Sequence, residues 1–120
     1  MDDSIELTAC YYCGMVADST DHVPPLTVRN RLAAAGLMDR YPFRTVPCCR
    51  ECNSALGPRA PFSLMERKRW VKAWIRRRYA KYLKIPPWED NEIGHLGPVL
   101  QGYVLAGIER QRVVLERLRW

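Results

Sequence analysis

Cys10-Tyr11-Tyr12-Cys13, Asp21-His22-Val23-Pro24 and Cys49-Arg50-Glu51-Cys52-Asn53 are the three segments on which the fold turns. Each Cys-x-x-Cys pair can chelate one ion through both sulfurs. Two such pairs supply the four ligands that zinc takes in a closed structural site. Cys10, Cys13, Cys49 and Cys52 are therefore expected to hold a structural zinc. A redox role for one pair is the competing reading, and it lacks a surrounding βαβ pattern. Cys48 also precedes Cys52, but with three intervening residues. The two-residue spacer of the first pair favours Cys49, and leaves Cys48 as a small buried apolar residue.

Outward from the cysteines, the expected elements are short. Residues 5–14 read as a strand running into a knuckle closed by Gly14. Pro24 and Pro25 disfavour helix before them, so 21–25 should be extended. A helix is expected from Thr27, as N-cap, to Ala35, with Gly36 as its stop. Arg44–Pro47 reads as a strand, and Asn53–Leu56 as a short helix ended by Gly57-Pro58.

The second half reads as helical. Ser63-Leu-Met-Glu66 has the form of a capping box, and the helix should run to about Lys84, before Pro86-Pro87. Leu64, Val71, Trp74, Ile75 and Tyr82 form its apolar stripe. Trp88–Ile93 suggests one short turn, where His95 nearby is an exposed or capping residue. A last helix should run from Pro98 to about Arg119. Its stripe is Leu100, Val104, Ile108, Gln111, Leu115 and Leu118, serving either the previous helix or a partner subunit.

The expected fold is therefore α+β and mostly helical. Residues 1–58 form a zinc-stabilised core with an insert over 24–43, and residues 59–120 a basic, two-helix extension. The 120-residue length and 48% hydrophobic content support one real core. No apolar run reaches the roughly 18 residues of a membrane span. The acidic start, Met1-Asp2-Asp3-Ser4, lacks a signal-peptide pattern, which points to the cytoplasm, where thiols stay reduced.

Charge is concentrated. Residues 59–84 carry ten Lys or Arg against one acid, Glu66, on a chain of net charge +6. The plain reading is a solvated helix face. The sharper one is a polyanion partner. Arg67, Lys68, Lys72, Arg76 and Arg77 are then the candidate contacts to DNA phosphates, with Arg29 and Arg31 in the insert.

Asp21, His22 and Asn53 are the residue types that phosphodiester hydrolysis uses. Histidine can activate water near neutral pH. A carboxylate and an amide oxygen suit Mg²⁺ or Mn²⁺. On a strand Asp21 and His22 would point to opposite sides. The plain alternative is that both make turn hydrogen bonds in a zinc fold.

Together these residues resemble the HNH endonucleases of the ββα-metal, or His-Me finger, superfamily, in the four-cysteine zinc subgroup that includes phage recombination endonucleases. The shared pattern is Cys-x-x-Cys, Asp-His, then Cys-x-x-Cys-Asn and a nearby glycine, here Gly57. The resemblance covers roughly residues 8–58. It implies a ββα-metal fold and a metal-dependent DNA endonuclease. His22 would be the general base, and Asp21 and Asn53 would hold the catalytic divalent ion. The chain departs from the pattern in its long insert before Cys49, in Leu56 where many relatives carry Lys, and in lacking a second motif histidine. The rival class is a catalytically silent zinc module that binds DNA or protein as an accessory or regulatory factor. A homodimer or a larger nucleoprotein complex is open under either reading.

Overall fold

A computed structural model describes residues 8–120. The chain is α+β, with a two-stranded antiparallel sheet and, among the described residues, six helices. In order these are β1 (Ser19–Val23), α1 (Leu26–Ala34), β2 (Arg44–Cys48), α2 (Arg50–Leu56), α3 (Leu64–Arg78), α4 (Ala80–Leu83), α5 (Asp90–Gly94) and α6 (Pro98–Arg119).

β1 and β2 pair with Asp21 opposite Val46 and His22 opposite Thr45. Side chains alternate across a strand. Asp21, Val23, Val46 and Cys48 accordingly face the core, while Thr20 and Thr45 face solvent and His22 is half-buried. The insert opens this hairpin. α1 begins at Leu26, with Pro25 in the N-cap position, rather than at a Thr27 cap. Gly36 ends it at φ +71.

The strand expected over 5–14 is reduced to a single bridge, Ala9 with Val16, among the described residues; residues 5–7 lie outside them. The first knuckle instead closes through Gly14 N–H to the Cys10 carbonyl at 2.9 Å. α2 starts three residues before Asn53. The Cys49 sulfur is its N-cap and accepts from the Cys52 N–H at 3.4 Å. Gly57 ends it as expected.

The long basic helix is broken at Tyr79 into α3 and α4. Ser63 is the N-cap of α3 but makes no side-chain cap hydrogen bond. α6 runs over the expected residues. Its packed face differs, however: Val114 and Arg117 are buried while Leu100 and Leu115 are exposed.

One core unites these pieces. Cys10, Tyr12, Cys13, Val46, Cys48, Cys49, Cys52 and Leu56 pack with Val71 and Ile75 of α3 and Val114 of α6. The C-terminal Trp120 closes over the first knuckle, its indole N–H donating to the Tyr11 carbonyl at 3.1 Å.

Candidate metal centre and the Asp21–His22 strand

The four expected cysteines meet. The sulfurs of Cys10, Cys13, Cys49 and Cys52 lie within 4.8 Å of one another, and all four residues are buried. Cys13 and Cys49 sulfurs are 3.8 Å apart. A tetrahedral thiolate site with metal–sulfur bonds of about 2.3 Å has an edge of about 3.8 Å. The donor set and spacing therefore fit one metal ion. Cys48 stands beside the cluster, its thiol donating to the Cys49 carbonyl at 3.2 Å.

Four sulfurs this close cannot all ionise without a cation. S–H donors on Cys13, Cys48 and Cys52 draw the Cys10 thiol well below its ordinary range. Facing Cys10, the Cys13 thiol is pushed up to about 11, and Cys52 is pushed up further by Cys10, Cys13 and burial. A bound dication reverses this order by stabilising every thiolate at once.

Around the cluster sits a cation that the sequence reading placed on no site. Arg117 is 7% exposed and holds Glu51 of α2 at 2.6 Å, while Tyr79 donates to the other Glu51 oxygen. Its spacing along α6, three after Val114 and one before Leu118, was the available signal: a charge within a packed helical stripe.

Asp21 is placed otherwise than expected. Arg67 Nη2 donates to its Oδ1 at 2.8 Å and to its Oδ2 at 3.0 Å, and Nε donates to Oδ2 at 3.1 Å. The Tyr12 hydroxyl donates to Oδ2 as well. Asp21 is 4% exposed and Arg67 2%. Burial and the hydrogen bond to Asp21 push the Tyr12 phenol above its ordinary range.

Two corrections follow. Asp21 is not poised with Asn53 around a divalent ion, because a guanidinium already supplies its countercharge. A buried carboxylate must be paired, and arginine's planar fork does so with parallel bonds. Arg67 is likewise no DNA contact, since it is interior and also donates to the Pro61 carbonyl at 2.8 Å. Asn53 lies exposed on α2.

His22 is half-buried on the opposite side of β1. Its ring stacks on Phe43 of the insert, centroids 6.0 Å apart, and its Nδ1 is buried without a partner. The guanidinium of Arg29 lies 4.5 Å over the same Phe43 ring. Arg31 is exposed on α1. Of the remaining expected contacts, Arg76 and Arg77 are exposed and Lys68 and Lys72 half-buried. Lys68, Lys72 and Arg76 follow one another at four-residue spacing on α3. Partial burial and the charges of Lys68 and Arg76 draw the Lys72 ammonium below its ordinary range. His95 caps α5 and is exposed.

Comparisons of the chain with protein-family models, with curated proteins and with solved structures return no match. Among the described residues no helix is long and apolar enough to cross a membrane.

Proposed function

We propose that this chain is a zinc-scaffolded DNA endonuclease of the HNH type, with His22 as general base. The observation that carries this reading is the order β1, β2, α2 with both strand and helix tied to one tetrathiolate cluster, and His22 set on β1 away from that cluster. Zinc is the ion proposed there, since it favours four thiolates in a closed site. Reduced cysteines suit the cytoplasm.

In the reaction, His22 takes a proton from water as the water oxygen bonds to phosphorus. The P–O3′ bond breaks, and the departing oxygen is reprotonated from solvent. The products are a 5′-phosphate and a 3′-hydroxyl. Lys68, Lys72, Arg76 and Arg77 supply backbone contacts that position DNA without reading its sequence. Cutting both strands would take a homodimer or two successive nicks.

The residues at Asp21, as they stand, do not fit Mg²⁺ or Mn²⁺, because Arg67 fills that role. This observation favours the second reading, a catalytically silent zinc module that binds DNA through α3 as part of a larger nucleoprotein complex. Plasmid nicking with Mg²⁺ or Mn²⁺, with and without EDTA, separates the two. The nuclease reading expects cleavage by the wild type and its loss in His22→Ala with zinc content unchanged. Equal cleavage by both proteins, or none by either, would sink it.

A further inference from the structure

The insert and the start of α3 enclose a cavity of about 260 Å³, lined by Arg40, Tyr41, Arg44, Phe62 and Ser63 among others. It sits apart from the cysteine cluster. From the geometry of this cavity we infer that it binds one unpaired nucleotide of a single DNA strand, the base on the tyrosine and phenylalanine rings and the phosphate on the two arginines. The inference deepens the proposed action on DNA and rests on that reading for its biological meaning.

Three observations support it. Tyr41 and Phe62 meet edge to face, centroids 5.7 Å apart and planes at 87°. One ring can thus offer its face to a base while the other closes the side, and every base has a π-face to stack. The volume falls just below the roughly 300 Å³ at which pockets for drug-sized molecules begin, which suits a single planar group. Lastly, Arg40 and Arg44 are exposed and neither forms an ion pair among the described residues.

Two uncompensated guanidinium groups around one concave site focus positive potential on it. Each matches phosphate oxygens with paired N–H donors. The Ser63 hydroxyl at the same rim is not spent on capping α3, so it is free to donate to a phosphate or base edge. The chain itself alternates the two chemistries here, as Arg40-Tyr41-Pro42-Phe43-Arg44. A paired duplex keeps its bases stacked inside and cannot fill such a cavity without opening. An unpaired nucleotide enters at no such cost.

Arg44 pairs with Val23 in the β ladder, one rung from His22 opposite Thr45. Arg44 shares the Asp21–Val23 face of the ribbon, so the cavity lies at the hairpin end where the insert leaves, on the face opposite His22. A single strand held here is therefore anchored at the junction of insert and α3, and would have to pass the edge of the hairpin to reach the proposed base.

The test uses full-length, zinc-loaded His22→Ala protein, so that no cleavage intervenes. The probes are a short single-stranded deoxyoligonucleotide carrying one 2-aminopurine and the same sequence as a duplex. Binding of the single strand should change 2-aminopurine fluorescence. Tyr41→Ala should abolish that change and weaken single-strand binding by roughly 5- to 150-fold, the range of one lost stacking partner, with duplex binding altered less than about 2-fold. Tyr41→Trp should restore both signals, and zinc content and far-UV circular dichroism confirm that each variant is folded. Arg44→Ala should lower the salt slope of single-strand binding by about 0.7. Single-strand binding indifferent to Tyr41→Ala, or equal losses on single strand and duplex, would overturn the assignment. A wild-type protein that fails to nick plasmid while its His22→Ala form binds the probe through Tyr41 would refute the nuclease and leave this subsite standing.

Discussion

Arg67 and Asp21 form a buried ion pair that joins α3 to β1 across 46 residues of chain, with 2.8 Å between Arg67 Nη2 and Asp21 Oδ1. Both carboxylate oxygens are engaged, and Tyr12 of the first knuckle completes the set. Knuckle, strand and basic helix are thus held at one point. Breaking a buried pair from one side leaves an uncompensated charge, at a cost of about 3–5 kcal/mol. Arg67→Met and Asp21→Asn are therefore each expected to lower unfolding free energy by that order in urea titrations. Lys72→Ala, on the outer part of the same helix, should stay within about 0.5 kcal/mol. The combined Asp21→Asn/Arg67→Met protein should lose much less than the sum of its parts. For the same reason, loss of nicking in an Asp21 variant diagnoses a missing ligand only if that variant remains folded.

The cysteine cluster makes metal binding a proton-releasing reaction. In the metal-free fold Cys13 is pushed up to about 11 and Cys52 upward too, so both hold their protons at neutral pH. A metal ion bound by all four sulfurs must displace at least these two. A pH-indicator titration in weak buffer should read two or more protons per ion, and apparent affinity should rise steeply from pH 6 toward 8. A raised folded-state pKa also stabilises the metal-free fold below the ordinary thiol value of 9.0, and that contribution disappears as pH climbs toward about 11. The melting temperature of chelated protein should therefore fall over this alkaline window. Metal-loaded protein, whose four ligand cysteines have no protons to lose, should show a smaller decline, left to the Cys48 thiol outside the cluster.

Gly14 is required twice over. Its φ is +78°, a left-handed conformation that side-chain-bearing residues rarely adopt, and a Cβ there would lie 2.7 Å from the Trp120 ring. Gly14→Ala should destabilise by about 1–3 kcal/mol from backbone strain, plus the cost of lifting the indole off the knuckle. Trp120→Ala removes the steric part only. In a double-mutant cycle Gly14→Ala should thus cost less in the Trp120→Ala background than in the wild type. Equal costs in both would mean that Trp120 does not dock on the knuckle.

The legible parts of this chain were those governed by local rules. The two Cys-x-x-Cys spacings identified the cluster, and choosing Cys49 over Cys48 agrees with the sulfurs that converge. Glycine after α1 and α2 and proline at the start of α6 mark ends that the fold respects. What could not be read was what each charged residue faces. Arg67 stands in a run of basic neighbours, yet it lies three residues after Leu64 and four before Val71, on the apolar stripe itself. A cation on that stripe implies a buried anion elsewhere, and Asp21, between inward-facing positions of β1, was the available partner. Likewise, the Tyr79 break between α3 and α4 carries no proline or glycine. It occurs where Tyr79 meets Glu51 and the Arg117 guanidinium, 5.6 Å from its ring, contacts that no local pattern announces.

The basic face of α3 is expected to act through charge alone. Lys72, Arg76 and Arg77 have no ion-pair partner among the described residues, and backbone contacts of this kind carry no sequence information. Replacing all three with Ala should weaken duplex binding to a similar degree on unrelated sequences, and should reduce the slope of log K against log salt by about 2–3. Fluorescence anisotropy over a salt series with two unrelated duplexes measures both quantities. Because these residues make no bond to the Asp21–Arg67 pair, urea midpoints should change little, so a loss of DNA binding in this variant reads directly as lost phosphate contacts. An unchanged salt slope would place the DNA-binding surface elsewhere, and the insert arginines Arg29 and Arg31 would be the next to replace.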